Sequence, residues 1–322
     1  MSTLSTLLHS RDRPVVTAEL PAINTGGVAK VAELLGRLSP YVDAVNATDN
    51  PAAHAHASNV AVAIAIIQSG AEPVLQVVCR DKNRLAIQAD IVGAALFGVE
   101  NICALTGDDV TAGDEPEARR VFDLDGPQLI QVATGLSEGR YLSGRPIDPP
   151  PRLFIGAVEN PGAPPFAHRV VRAKKKSEIG AKFLQLQICY VVARMDEFIR
   201  GCVGEGITDR TALLPTICLT KSAKALEFMN DKVPGIYVPD DVIRRVRGAS
   251  HQAEASFQLS LDLARTYLEM PGVAGLHLAD FRHDDAVARL THELGLNARE
   301  SPPSSASPHY EEKHAHGSQL AG

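Results

Sequence analysis

Residues 73–109 read PVLQVVCRDKNRLAIQADIVGAALFGVENICALTGDD. Pro73 to Cys79 is a continuous β-rich apolar run. Asp81 to Phe97 has helical composition, and Gly98 is its stop, the residue that most readily takes the left-handed conformation at a helix end. Asn101 to Leu105 is a second apolar run, closed by Thr106-Gly107-Asp108-Asp109. Strand, helix, strand, with both strands apolar on both faces, describes parallel pairing with helices covering the sheet.

The same unit recurs in both directions. Towards the N-terminus lie strands at Pro14–Leu20 and Tyr41–Ala47, with helices from Gly26 to Leu38 and from Asn50-Pro51 to about Ser69. Proline is tolerated in a first helical turn because its missing N–H is unpaired there anyway. Towards the C-terminus, strands are expected at Arg152–Val158, Ala181–Ile188, Thr211–Ile217 and Gly275–Leu278, separated by helical stretches. Eight strand-then-helix units predict a (β/α)₈ TIM barrel. A doubly wound open sheet would carry GxGxxG or a P-loop after a strand, and neither is present. Residues 1–298 are read as one catalytic barrel domain. Residues 299–322, rich in Pro, Ser and charge, are read as a disordered tail.

Composition narrows the function. The 322 residues carry 32 basic and 38 acidic side chains, a net charge of −6, which argues against a nucleic-acid binder. The five cysteines have no CxxC pair, so neither a disulfide framework nor a zinc site is expected. No apolar run approaches the roughly 20 residues of a membrane span, and the N-terminus lacks the order of a signal peptide. The expected location is cytoplasmic. Tryptophan is absent and aromatics are 5% of the chain, so a planar ligand would rest mainly on aliphatic side chains and backbone.

Barrel enzymes place their chemistry at the C-terminal ends of the strands. Glu19, inside VTAEL, is the sharpest candidate there. A carboxylate buried in an apolar strand is costly, and with a raised pKa it suits general acid or base work. Asp108 follows Gly107, where a glycine lets backbone approach a ligand; the alternative is a turn and cap aspartate. Gln185 and Gln187 alternate with leucines, so both amides face one side of strand six. Their donors and acceptors could read a ring or form a polar layer inside the barrel. His54 and His56, read as helical and two apart, diverge and make a poor chelate, and no metal site is expected.

These segments, in order, resemble the methylenetetrahydrofolate reductase family. The resemblance rests on the strand-one glutamate (Val16–Pro21), DAVNATDNP (Asp43–Pro51), VVCRDKNRLAIQ (Val77–Gln88), GVENICALTGDD (Gly98–Asp109) and VFDLDGPQLI (Val121–Ile130). It continues through IGAVENP (Ile155–Pro161), KKKSEIGAKFLQLQ (Lys174–Gln187), KSAKALEFMNDKVPGIYVPDDVI (Lys221–Ile243) and GVAGLHL (Gly272–Leu278). It implies a flavoprotein oxidoreductase of one-carbon metabolism, tied to methionine biosynthesis. Such an enzyme reduces 5,10-methylenetetrahydrofolate to 5-methyltetrahydrofolate with NAD(P)H through FAD. NADH is the expected donor, because the chain lacks the regulatory extension of longer NADPH-using relatives. By position, Glu19 matches the general acid, Asp108 the aspartate near flavin and pterin, and Gln187 the glutamine that bonds folate and then nicotinamide. The resemblance implies cofactor contacts from Thr48, Asp49, Gln76, Thr106, Gly107, Asp108, Asp123 and Lys176, and substrate contacts from Asp108, Gln187 and Arg282. A homo-oligomer is compatible with the chain, but nothing in the pattern sets its order.

Several positions depart from the family. Gln76 stands where a histidine is common, Val158 where a tyrosine packs on the flavin, and Arg169 where an acidic contact is usual. After Gln187 the chain reads Ile188-Cys189-Tyr190-Val191 rather than two bulky residues and Phe-Asp. Two alternatives follow: a flavin-free reductase taking hydride directly from NADH, and a non-catalytic folate-binding accessory paralogue. Methyl transfer in the same folate pocket is a further one-carbon reading.

Overall fold

The computed structural model of the chain describes residues 1–296. The tail expected at 299–322 lies outside the described residues. Eight parallel strands close in sequence order into a barrel: β1 Val15–Glu19, β2 Ala44–Ala47, β3 Pro73–Val78, β4 Asn101–Leu105, β5 Phe154–Glu159, β6 Phe183–Leu186, β7 Ala212–Leu219 and β8 Gly275–Asp280. The helices are α1 Thr3–Ser10, α2 Gly27–Leu38, α3 Asn59–Gln68, α4 Arg84–Leu96, α5 Gly126–Ser137, α6 Ala167–Glu178, α7 Val192–Gly204, α8 Ala223–Lys232, α9 Asp240–Arg247, α10 Gln252–Leu268 and α11 Ala286–Glu293. No described helix is long and apolar enough to cross a membrane.

Parity along each strand separates two cores. Outward residues such as Val16, Val45, Leu75, Ile102, Ile155 and Leu184 pack under the helices. Inward residues Val15, Ala44, Val74, Cys103, Phe154, Phe183, Ala212 and Leu214 fill the barrel floor. Helix α1, absent from the sequence reading, plugs that floor. Its Leu4 and Leu8 are one helical turn apart and both buried, and Ser2 caps it by accepting from the Ser5 N–H at 3.0 Å. Phe154 and Phe183 stack with centroids 5.6 Å apart. Gly156 makes room for them, since a Cβ there would lie 2.2 Å from the Phe183 ring. Gly156→Ala is therefore expected to destabilise the barrel by about 1–3 kcal/mol through overpacking. Urea denaturation checks this, and an unchanged midpoint would contradict it.

One expected helix starts late. Asn50-Pro51 opens only a 3₁₀ turn at Pro51–Ala53, and α3 begins at Asn59. Asn50, Ala52 and Ala53 take positive φ values of 45°, 52° and 61°, which end helical propagation. The loop instead meets the chain after β4, where Gly113 packs so closely on Ala53 that a Cβ would lie 1.8 Å from its carbonyl oxygen. His54 and His56 consequently sit in a loop rather than on a helix.

Candidate functional site

The loops after β2, β3 and β4 form one side of the C-terminal mouth, and Arg80 ties them together. Its guanidinium, almost fully buried, donates to both Asp81 oxygens at 2.7 Å. It also reaches the Asn50 carbonyl at 3.1 Å and the Asp108 carbonyl at 3.4 Å. The Arg80 hydrogen bond, followed by burial acting in the opposite sense, leaves the Asp81 carboxyl below its ordinary range. Gly107 turns the chain at φ +95°, and a Cβ there would strike Val78 at 2.4 Å. The Asp108 side chain thus stands exposed on a loop fixed from beneath.

The opposite wall is apolar. Helices α8 and α9 and the connection between them bring Leu226, Met229, Ile236, Val238, Ile243 and Val246 over Ile188, Tyr190 and Cys218. Asn160 anchors their connection by donating to the Gly235 carbonyl at 2.9 Å. Burial pushes the Cys218 thiol up to about 12.

Glu19 ends β1 with its side chain on the inward parity shared with Val15 and Thr17. The expected burial is corrected: the side chain is 36% exposed and faces the mouth. Its nearest charged or chargeable partner is His277 Nε2 on β8, at 3.8 Å. Below it lies a buried polar layer. Thr17 Oγ1 and His277 Nδ1 are 2.8 Å apart. Asn46 Nδ2 donates to Gln185 Oε1 at 2.8 Å, and Gln185 Nε2 donates back to Asn46 Oδ1 at 3.2 Å. Gln185 therefore belongs to an interior layer, as one of its two sequence readings allowed. Gln187, one residue beyond β6, holds the strand end: its N–H donates to the Glu159 carbonyl at 2.8 Å and its Oε1 accepts from the Ile188 N–H at 2.9 Å. Its amide N–H₂ remains for a ligand.

The remaining sequence-predicted residues divide by what already engages them. Among the described residues, no side-chain hydrogen bond engages Thr48, Gln76 or Asp108. Thr106 Oγ1 accepts from the Gly126 N–H at 3.3 Å and helps seat α5. Asp49 is buried and accepts from Lys82 and from the Val78 N–H, both at 3.0 Å. Burial pushes its carboxyl up, against the attraction of Lys82. Asp123 is clasped by Arg84 through three donors at 2.8–2.9 Å, and that hydrogen bonding lowers its carboxyl to about 2. Arg282 donates to the Thr220 and Ala253 carbonyls at 3.0 and 2.8 Å and to Asp284 at 3.2 Å, stapling the loops after β7 and β8.

Lys176 is also engaged. Buried on α6, it donates to Glu159 Oε2 at 2.7 Å and to the Val158 carbonyl at 2.5 Å. Arg169 and Arg172 approach the same carboxylate at 3.2 and 3.5 Å. Burial alone would raise the Glu159 carboxyl, but the attraction and hydrogen bond of Lys176 hold it below its ordinary value.

The donors and acceptors left open at Thr48, Gln76, Gly107, Asp108 and Gln187 fit the edge of a planar heterocycle such as a pterin or a flavin ring. The charged residues expected to contact a cofactor are already engaged within the chain, Lys176 with Glu159, Asp49 with Lys82 and Asp123 with Arg84. Thr17 and His277 escaped the sequence reading. Their signal was a polar residue inside an apolar strand, in VVTAE and GLHLA. No cluster able to hold a metal ion occurs among the described residues.

The model of the methylenetetrahydrofolate reductase family matches residues 7–295. A Caenorhabditis elegans protein named as a probable methylenetetrahydrofolate reductase (NADPH) is 21% identical over 232 residues. That match covers 70% of this chain and 33% of the relative, so the chain spans about a third of its length. A Clostridium thermocellum protein, solved with two copies of 5-methyl-5,6,7,8-tetrahydrofolic acid, superposes with TM-score 0.64 at 14% identity, covering 92% of this chain and 97% of that one. EDTA monooxygenase from Chelativorans sp. BNC1 gives TM-score 0.51 at 10% identity, covering 88% and 93%. At these identities the two structures speak for the fold.

Proposed function

The chain belongs to the methylenetetrahydrofolate reductase family, and we propose that it reduces 5,10-methylenetetrahydrofolate to 5-methyltetrahydrofolate with NAD(P)H as the source of hydride. The observation that carries this reading is Glu19, a half-exposed carboxyl group at the barrel mouth that shares the C-terminal face with Asp108 and Gln187. The folate-bound relative of the same fold supports it.

The pterin edge presents N–H donors that the Asp108 carboxylate can accept, and Gln187 offers its amide N–H₂ to a ring acceptor. A bound folate would cover Glu19 and shield its carboxyl proton from water. Glu19 then gives that proton to the nitrogen that leaves the methylene carbon. The C–N bond of the five-membered ring breaks, and its electron pair takes the proton. The other nitrogen and the methylene carbon become an iminium, whose carbon accepts hydride to become the methyl group. NAD(P)H supplies the two electrons and leaves as NAD(P)⁺.

FAD is the cofactor implied by family resemblance, and when bound it supplies a ring that relays hydride between two substrates. The open groups at Thr48, Gln76, Gly107 and Asp108 would meet its ring, with Thr106 beside them. The Glu159–Lys176 pair favours a second reading, in which hydride passes directly from the pyridine nucleotide, and in both readings Glu19, Asp108 and Gln187 act on the folate alike. Purified protein is expected to consume NADH when methylenetetrahydrofolate is added. A direct route predicts turnover without flavin absorbance and no stimulation by added FAD. A flavin route predicts an absorbance near 450 nm or activity restored by FAD. No turnover under either condition would remove the reductase reading in favour of a folate-binding protein.

A further inference from the structure

We propose that His277 is a positioning residue for Glu19. Its neutral imidazole, held with the proton on Nε2, donates to the Glu19 carboxylate that forms when the acid gives up its proton. The proposal rests on the reductase reading for its catalytic half and on the barrel's own hydrogen bonds for the rest.

The polar layer is costly to bury. Thr17, Asn46, Gln185 and His277 lie on β1, β2, β6 and β8, all with exposures of 3% or less. Buried polar groups are tolerated when every donor and acceptor is matched, so the matching can be read as a circuit. The Cys103 thiol donates to Gln185 Oε1 at 3.5 Å, which sets the ends of that amide, and the reciprocal pair then sets those of Asn46. Gln185 Nε2 then lies 3.2 Å from His277 Nδ1 and 3.4 Å from Thr17 Oγ1. Nδ1 has a single lone pair: the Gln185 amide donates to Thr17 Oγ1, the Thr17 hydroxyl at 2.8 Å donates on to Nδ1, and the ring nitrogen, facing an N–H₂, accepts. An imidazole whose Nδ1 accepts carries its proton on Nε2. That nitrogen is the one 3.8 Å from Glu19 Oε1, a gap that a small rotation of the half-exposed glutamate closes to hydrogen-bond length.

The same circuit disfavours an imidazolium, since a proton on Nδ1 would meet the Gln185 amide head-on. His277 therefore acts as a neutral donor. The other titratable groups whose charges couple to Glu19 are the Cys103 and Cys218 thiols, both raised by burial to about 12 and so uncharged. A hydrogen bond to a carboxylate favours its charged form, so the contact strengthens as the proton leaves. Such a bond, present in the transition state more than in the ground state, acts on kcat.

The test compares His277→Gln and His277→Leu, each in the native and in the Glu19→Gln background, with methylenetetrahydrofolate and NADH as substrates and thermal unfolding as the control for folding. His277→Leu is expected to lower kcat about 10- to 100-fold with KM little changed, the range of one hydrogen bond to a charged group. His277→Gln, whose Nε2 can occupy the same place, recovers most of the loss. In the Glu19→Gln background His277→Leu has no further effect, because the two groups act as a unit. Equal losses in both backgrounds, or a loss in KM alone, would overturn the proposal. Nitrogen-15 NMR of histidine-labelled protein at neutral pH tests the tautomer without turnover: Nδ1 is expected bare and Nε2 protonated, and the reverse pattern contradicts the circuit. If the native protein shows no turnover, the catalytic half fails with the reductase reading, and the nitrogen spectrum alone decides the tautomer.

Discussion

Glu19→Gln is expected to lower kcat for methylenetetrahydrofolate reduction by about 10²- to 10⁴-fold, the usual contribution of a positioned general acid. The substitution keeps the shape and removes the transferable proton. Its effect on folding is expected to be small, because the side chain is 36% exposed and its contact with the His277 ring is long, at 3.8 Å. Binding of 5-methyltetrahydrofolate is expected to persist within a few-fold, since Asp108 and Gln187 remain. Steady-state kinetics and product titration read the two effects separately. A variant with full turnover would end the acid assignment, and one that loses folate affinity in proportion to kcat would make Glu19 a binding group instead.

Glu159→Gln is expected to lower folding stability by about 3 kcal/mol, because it leaves Lys176 buried without its counter-charge. The double variant Glu159→Gln with Lys176→Met is expected to recover most of that loss. Urea denaturation of the native protein and the two variants checks both statements, and a single-variant change below about 0.5 kcal/mol would show that the pair is idle. The pH dependence has a definite sign. The Glu159 carboxyl lies below its ordinary value in the folded chain. Its stabilising contribution is therefore present above about pH 4.3, the unfolded value, and is lost as pH falls through the folded one. The pair also bears on cofactor binding, since a buried lysine bonded to a carboxylate at 2.7 Å and to the Val158 carbonyl is committed inside the chain rather than offered to a phosphate.

The barrel was legible because its strands are buried on both faces and its helices are bounded by glycine and proline. Helix α1 was not, because its eight residues are too short a stretch for the spacing of Leu4, Leu7 and Leu8 among serines and threonines to mark a helix. Helix α9 lies within a segment whose polar residues, DDVIRRVR, hide the two buried ones, Ile243 and Val246. The early start assigned to α3 came from a sound local rule at Pro51, overridden by the contact between Ala53 and Gly113, 60 residues away in sequence. The mouth residues Glu19, Asp108 and Gln187 were readable from their place at strand ends. The polar layer was only half readable. Gln185 showed by alternation, but its link to Thr17 and His277 depends on closure of β1 against β8, which no local pattern reveals. Lys176 was placed by resemblance, and its pairing with Glu159 depends on how α6 docks on β5.

The most direct test of the central claim is product analysis. The protein is incubated with 5,10-methylenetetrahydrofolate and NADH, with and without FAD, and folates are quantified by mass spectrometry. The expected result is 5-methyltetrahydrofolate formed one-for-one with NADH consumed, and almost none from the Glu19→Gln variant. NADH oxidation without 5-methyltetrahydrofolate, or no reaction by folded protein that binds folate, would contradict it.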